Sequence, residues 1–274
     1  MTEIARIGVL PQLGYGTWRR YGAEAVRCVT HALATGYRHI DTAAAYENEA
    51  EVGRAIRESG MPREEIFLTT KVWHDNLGKG RVLASAEASL QRLGLDYLDL
   101  LLIHWPSPGD AVPVEQYVTE LAEVQARGYA RNIGVSNFTR RHLDQAVAAL
   151  GPGRIATNQV ELNVTFANSP IAAHCDALGI PVTAYLPLAR GAEIFENETL
   201  LAVARSHGAT VAQVALAFLL SEGRVAIPAS SNFARIDENF AAKDLALGHD
   251  EMAALRDLGK GPRRVDFTWA PDWN

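Results

Sequence analysis

The sequence predicts an α/β protein, a single (β/α)8 TIM barrel over residues 1–274. Short apolar, often β-branched runs alternate with amphipathic stretches along nearly the whole chain. There are eight such runs, the number a closed barrel of this kind needs. Strands that are buried on both faces and each followed by a helix imply a parallel sheet covered by helices. No composition shift, Pro/Ser-rich linker or low-complexity tract divides the chain. An open doubly wound sheet is the competing architecture, but its dinucleotide-binding form carries GxGxxG after the first strand. The nearest matches, GYGTWR and GKGRVL, lack the third glycine.

The elements follow in order. LGYGTW from Leu13 reads as the first strand, and Ala25, Val29 and Ala32 then recur at helical spacing. RHIDTA from Arg38 and IFLTTKVW from Ile66 supply the second and third strands, the latter followed by a helix carrying Val82, Ala86, Leu90 and Leu93. After the fourth strand, DLLLIHW from Asp99, Pro113 suits the first turn of a helix. Strands five to seven are RNIGVSN from Arg131, ATNQVEL from Ala156 and PVTAYLPL from Pro181. Val211, Val214, Ala215, Phe218 and Leu219 form a one-sided apolar stripe before the eighth strand, VAIPAS from Val225. Asp250 is expected to cap a last helix bearing Met252, Leu255 and Leu258.

Composition narrows the function. A formal net charge of -6 and a pI near 5.8 argue against a nucleic-acid surface or an anionic membrane as partner. No apolar run approaches the length needed to cross a bilayer, and the start, MTEIARIGVL, lacks the layout of a secretory signal. Cys28 and Cys175 lie far apart in helical patterns, as reduced packing residues of a cytoplasmic protein do. A monomer is expected. His39 and Asp41 on one strand raise a metal-dependent hydrolase, but no HxH or HExxH spacing supports it, so no metal is expected.

Four ionisable residues stand in short polar breaks at the ends of apolar runs. Asp41 and Tyr46 close HIDTAAAY, Lys71 ends IFLTTKVW, and His104 ends LDLLLIHW. A charge inside such a strand costs several kcal/mol, so these groups must be solvated or paired. Taken singly, each has a structural explanation: a helix cap, a surface aromatic, a snorkelling strand end, a core histidine. Taken together, they sit at the ends of three neighbouring strands, the end at which barrels of this type carry their functional face. A phenol beside an ammonium, a carboxylate and an imidazole suits proton transfer to a carbonyl oxygen. On this reading Lys71 favours the phenolate of Tyr46 and makes it a better acid, while Asp41 holds Lys71. His104 orients the substrate oxygen. No side chain donates hydride, so a nicotinamide cofactor must bring it.

At these residues the chain strongly resembles the aldo-keto reductase family. GYGTW, HIDTAAAYENEAEVGRAI, TTKVW, LLIHWP, IGVSNF, NQVELN, AYLPLARG and IPASSNFARIDEN occur in the family's order and cover nearly the entire chain. The resemblance implies that Asp41, Tyr46, Lys71 and His104 form the catalytic tetrad, with Tyr46 the proton donor. It implies NADPH laid across the top of the barrel, near Gly16, Thr17, Trp18, Leu186 and Leu188. Ser136, Asn137 and Gln159 match the residues that hold the nicotinamide carboxamide, and Tyr185 matches the aromatic that stacks on the ring. Ser230, Ser231, Arg235 and Asn239 match the segment that grips the adenosine end and its 2′-phosphate. The implied activity is reduction of small aldehydes, ketones and α-dicarbonyls, of the methylglyoxal or 2,5-diketogluconate type. An NADPH-binding regulatory barrel with little turnover is the alternative.

Two positions depart from the family pattern. Where many members read IPKS, this chain has Ala229 in place of the lysine, and Leu186 stands where a serine is common. A hydrogen bond to a charged group is worth roughly 1.5–3 kcal/mol. The missing lysine therefore weakens NADPH preference, and NADH is expected as a weaker alternative. Trp18, Trp73 and Trp105 are expected to wall the reacting carbonyl, with Trp269 of the tail as a lid. Such a pocket excludes water and suits a small carbonyl substrate. Trp273 is expected in the core or disordered.

Overall fold

The structure, a computed structural model, describes residues 4–273. Eight parallel strands run in sequence order around a nearly closed barrel: β1 (Gly14–Gly16), β2 (His39–Asp41), β3 (Phe67–Val72), β4 (Leu98–Ile103), β5 (Ala130–Ser136), β6 (Ile155–Glu161), β7 (Val182–Tyr185) and β8 (Val225–Ala226). A parallel bridge between Leu13 and Ala226 brings the last strand back to the first. Beside it, the amide of Ala226 donates to the Gln12 carbonyl at 2.9 Å and that of Gly16 to the Pro228 carbonyl at 2.9 Å. All eight strands stand where the apolar runs predict them.

Helices cover the sheet: α1 (Gly22–Thr35), α2 (Glu49–Glu58), α3 (Arg81–Leu93), α4 (Val114–Ala126), α5 (Arg140–Leu150) and α6 (Ser169–Ala177). Three more lie between β7 and β8: α7 (Ala192–Phe195), α8 (Glu198–His207) and α9 (Val211–Ser221). Then come α10 (Phe233–Ala241) and α11 (His249–Arg256). The apolar stripes of α1, α3 and α9 face inward, with Val29, Ala32, Val82, Leu93, Val214 and Leu219 fully buried. Cys28 and Cys175 are buried free thiols, as expected. Pro113 immediately precedes the first helical residue of α4 in an extended conformation.

Two features depart from expectation. A short hairpin, Arg6–Ile7 paired antiparallel with Leu10–Pro11, precedes β1. Its Leu10 joins Phe67, Leu100, Leu102 and Val225 in a separate buried apolar cluster inside the barrel, with Phe67 and Val225 at the starts of β3 and β8. Asp250 is not the cap of α11. The cap position is Gly248, whose amide donates to the Glu251 carboxylate at 2.7 Å, and Asp250 lies inside the first turn. Leu258 falls beyond the end of that helix.

The strand registers align the C-terminal tips that matter. Gly16 is level with Asp41, Ser136 with Gln159, and Glu161 with Tyr185. Beyond α11 the chain returns across this face, so that residues near 267 reach the ends of β3 and β4.

Candidate active site

Asp41 ends β2, Lys71 is the penultimate residue of β3, and His104 directly follows β4. Tyr46 closes a 3-10 turn, Ala44–Tyr46, that leads from β2 toward α2. The barrel brings all four together. The Lys71 ammonium donates to Asp41 Oδ1 at 2.5 Å, to the Thr42 carbonyl at 2.9 Å and to the Tyr46 hydroxyl at 3.4 Å. The second oxygen of Asp41 accepts from Gln159 Nε2 at 2.8 Å, so both sides of the buried carboxylate are satisfied. The Tyr46 and His104 rings meet edge-on with centroids 5.6 Å apart.

Burial dominates the electrostatics. It pushes the Lys71 amine down, against the pull of the Asp41 carboxylate. It also pushes the Tyr46 phenol well up, and Asp41 adds to that rise. The net direction in the free protein is upward: desolvation of the phenolate and the Asp41 charge outweigh any pull from the neighbouring Lys71 ammonium. Tyr46 is therefore fully protonated at neutral pH. Burial and the Lys71 charge likewise hold His104 well below its usual range, so its imidazole is neutral. Among the described residues neither of its ring nitrogens has a hydrogen-bond partner, and Nδ1 is buried.

These groups open into a cleft of about 510 Å³ at the C-terminal ends of the strands. Gly16, Thr17, Trp18, Asp41, Tyr46, Trp73, His104, Trp105, Asn137, Gln159, Tyr185, Leu186 and Leu188 line it. Its floor is a fixed polar network. Tyr185 donates to Asn137 Oδ1 at 2.8 Å, Asn137 Nδ2 donates to the His104 carbonyl at 3.0 Å, and Ser136 Oγ donates to the Gln159 carbonyl at 2.7 Å. Ser136 is buried behind this network rather than exposed in the cleft. Asn137 adopts a left-handed backbone, φ 60°, which asparagine tolerates better than most residues.

Ser230, Ser231, Arg235 and Asn239 lie beyond the cleft's edge: the serines just before α10, Arg235 in its first turn and Asn239 near its end. Asn232 caps that helix by accepting from the Arg235 amide at 3.2 Å. Ser231 and Arg235 are exposed, and Asn239 is buried. Ala229 lines the cleft between the two groups. Trp269 is not part of the cleft wall. It packs edge-on against Trp105 at 5.1 Å and Trp73 at 5.9 Å, and Phe267, stacked on it at 4.9 Å, takes the lining position. Trp273 is neither deeply buried nor detached, since the Arg263 guanidinium covers its ring at 3.5 Å.

Three arginines at the rim, Arg19, Arg20 and Arg190, are absent from the sequence-based reading. Arg19 and Arg190 approach the Trp18 ring at 4.3 and 5.6 Å, and both have a left-handed φ of 60°. The doublet in GTWRR and the arginine in PLARG are the only signals, and neither says which way a loop turns. Among the described residues no cluster of three or more His, Cys, Asp or Glu is placed to hold a metal ion. His39 instead bonds Thr69 Oγ1 at 3.0 Å inside the barrel.

A barrel with this polar patch at its strand ends defines a class of enzyme. The model of the aldo/keto reductase family matches residues 12–260, and the chain belongs to that family, as an oxidoreductase that reduces carbonyl groups. The chain is 42% identical over 266 residues to methylglyoxal reductase DkgB of Escherichia coli O157:H7, covering 97% of this chain and 99% of the relative. It superimposes on a crystal structure assigned to 2,5-diketo-D-gluconic acid reductase B with a TM-score of 0.91 at 41% identity, covering 97% of this chain and 94% of the other. The aldose reductase of Schistosoma japonicum matches with a TM-score of 0.90 at 33% identity, over 95% and 92% of the two chains.

Proposed function

We propose that this chain reduces small aldehydes, ketones and α-dicarbonyls to alcohols with NADPH, and that Tyr46 delivers the proton. One observation carries the reading. The Tyr46 hydroxyl and a His104 imidazole with no hydrogen-bond partner among the described residues face one cleft, and behind the phenol lies a buried Lys71–Asp41 pair.

The donor set fits a reduced nicotinamide dinucleotide, the cofactor class of this family. The cleft offers amide groups on Asn137 and Gln159 and the Tyr185 ring for a flat amide-bearing heterocycle. Arg19 and Arg190 bring positive charge to the rim for phosphates. When bound, the cofactor supplies the hydride. His104 then donates a hydrogen bond to the carbonyl oxygen and orients it. Tyr46 keeps its proton until that oxygen has become more basic than the phenol, and transfers it there. Lys71 stabilises the phenolate that remains, while Asp41 and Gln159 keep the ammonium in place. Trp73, Trp105 and Phe267 exclude water from the reacting carbon.

Arg235 and the serines beside α10 favour the 2′-phosphate of NADPH, and Ala229 contributes nothing to it. NADPH is accordingly preferred by a modest ratio of kcat/KM. The kinship with a methylglyoxal reductase and with a structure assigned to a 2,5-diketogluconate reductase makes those two α-dicarbonyls the first substrates to try. Loss of NADPH absorbance with methylglyoxal, 2,5-diketogluconate or an aromatic aldehyde is the expected result. Tight NADPH binding with no oxidation by any of the three replaces the reading with a nucleotide-binding regulatory barrel.

A further inference from the structure

Glu161, the last residue of β6, is fully buried at the C-terminal face. A carboxylate there needs partners, because an unpaired buried charge is very costly. Its partners come from the far end of the chain. The amide of Arg264 donates to both carboxylate oxygens, at 2.9 and 3.0 Å, and that of Val265 donates to Oε2 at 2.8 Å. Among the described residues these are the only main-chain hydrogen bonds from the segment beyond Gly261 to the barrel. Consecutive amides converging on one anion resemble the nests that bind free anions, here filled from within the chain.

The segment held in this way is the outer wall of the cleft. Val265 and Phe267 line it, and Phe267 and Trp269 stack together over Trp105. Phe267 remains 48% exposed, so packing alone holds it weakly. Side-chain contacts add to the tether, through Arg264 to Glu193 and through Arg263 to the buried Asn168 at 3.3 Å, but from the tail's side each is made by a long arginine side chain.

We propose that Glu161 is a positioning residue: by gripping the amides of Arg264 and Val265 it fixes the C-terminal tail as the substrate-facing wall. In this way it sets discrimination between carbonyls large enough to touch that wall and those too small to reach it. The kinetic part of the inference rests on the reductase reading above; the tethering part does not.

Glu161→Gln keeps the shape and removes the charge. Local release of the tail exposes the Arg263–Arg264 bond, so trypsin should remove the residues beyond it about ten-fold faster than in the wild type. The KM for an aromatic aldehyde should rise about ten-fold, a change of ~1.4 kcal/mol, with kcat nearly unchanged and methylglyoxal kinetics little affected. Val265→Pro deletes one donor and leaves the carboxylate untouched; the Arg264–Pro bond resists trypsin, so cleavage is read at Arg263–Arg264 alone, where it should speed in the same direction even if Glu161→Gln fails to fold. Wild-type cleavage rates in the folded variants overturn the tether. Faster cleavage with an unchanged ratio of the two KM values overturns the role in discrimination. A wild-type protein that oxidises NADPH with neither carbonyl defeats the reductase reading instead, while the cleavage comparison still decides the tether.

Discussion

Lys71 is held inside the barrel by Asp41, Thr42 and Tyr46, and this arrangement has consequences for single substitutions. Replacing Lys71 by Met leaves the buried Asp41 carboxylate with Gln159 as its remaining side-chain donor. Breaking a buried pair from one side costs about 3–5 kcal/mol, so Lys71→Met should lower the melting temperature markedly as well as abolish turnover. A variant that melts like the wild type contradicts the pairing. At position 229, Ala229→Lys should raise NADPH affinity by about ten-fold, the worth of one charge-assisted hydrogen bond, and leave NADH affinity unchanged. Equal gains for both nucleotides would place the new lysine away from the 2′-phosphate. The four ionisable residues were legible in sequence because each interrupts an apolar run, where a charge demands a reason. Arg19, Arg190 and Glu161 were not, since arginines in loops and a glutamate at a strand end are ordinary. Only loop direction and the return of the tail give them meaning.

Elements were legible wherever periodicity was strong. All eight strands and the stripes of α1, α3 and α9 were readable because burial on one or both faces imposes a pattern. The hairpin before β1 has strands too short to show alternation, and α7 has a single turn. Cap identity at α11 turned on whether Asp250 or the backbone of Gly248 sits at the first orphan amides, which composition does not distinguish. The tail has no periodicity, and its aromatic residues left Trp269 and Phe267 interchangeable on paper. One element-level contact is unforgiving. In α2, a Cβ on Gly53 would fall 1.8 Å from the Leu93 carbonyl oxygen at the end of α3. Backbone cannot yield as a side-chain tip does, so Gly53→Ala should destabilise the fold by about 1–3 kcal/mol or more, read as a lowered midpoint in urea. An unchanged midpoint would mean that α2 and α3 are farther apart than this.

On the scale of the whole molecule, stability is tied to pH through buried imidazoles. Burial holds His39 down at about 4 against an ordinary 6.5, and holds His104 well below the same value. The unfolded chain takes up both protons below about 6.5, whereas native His39 stays neutral until about 4. More protons bound to the unfolded state means that stability falls as pH drops through this window, by up to about 1.4 kcal/mol per pH unit for each histidine. Denaturant melts at neutral pH and near the lower limit measure it, and a flat profile contradicts the neutral assignment. On the proposed reading, the barrel holds a neutral His104 and a protonated Tyr46 in place, and a nicotinamide cofactor would complete the chemistry. Tyr46→Phe tests that claim most directly, with kcat for methylglyoxal and the dissociation constant for NADPH measured on the same preparation. Removal of a general acid predicts a fall in kcat of about 10²–10⁴ with cofactor affinity nearly intact. A variant that keeps the wild-type kcat contradicts the account.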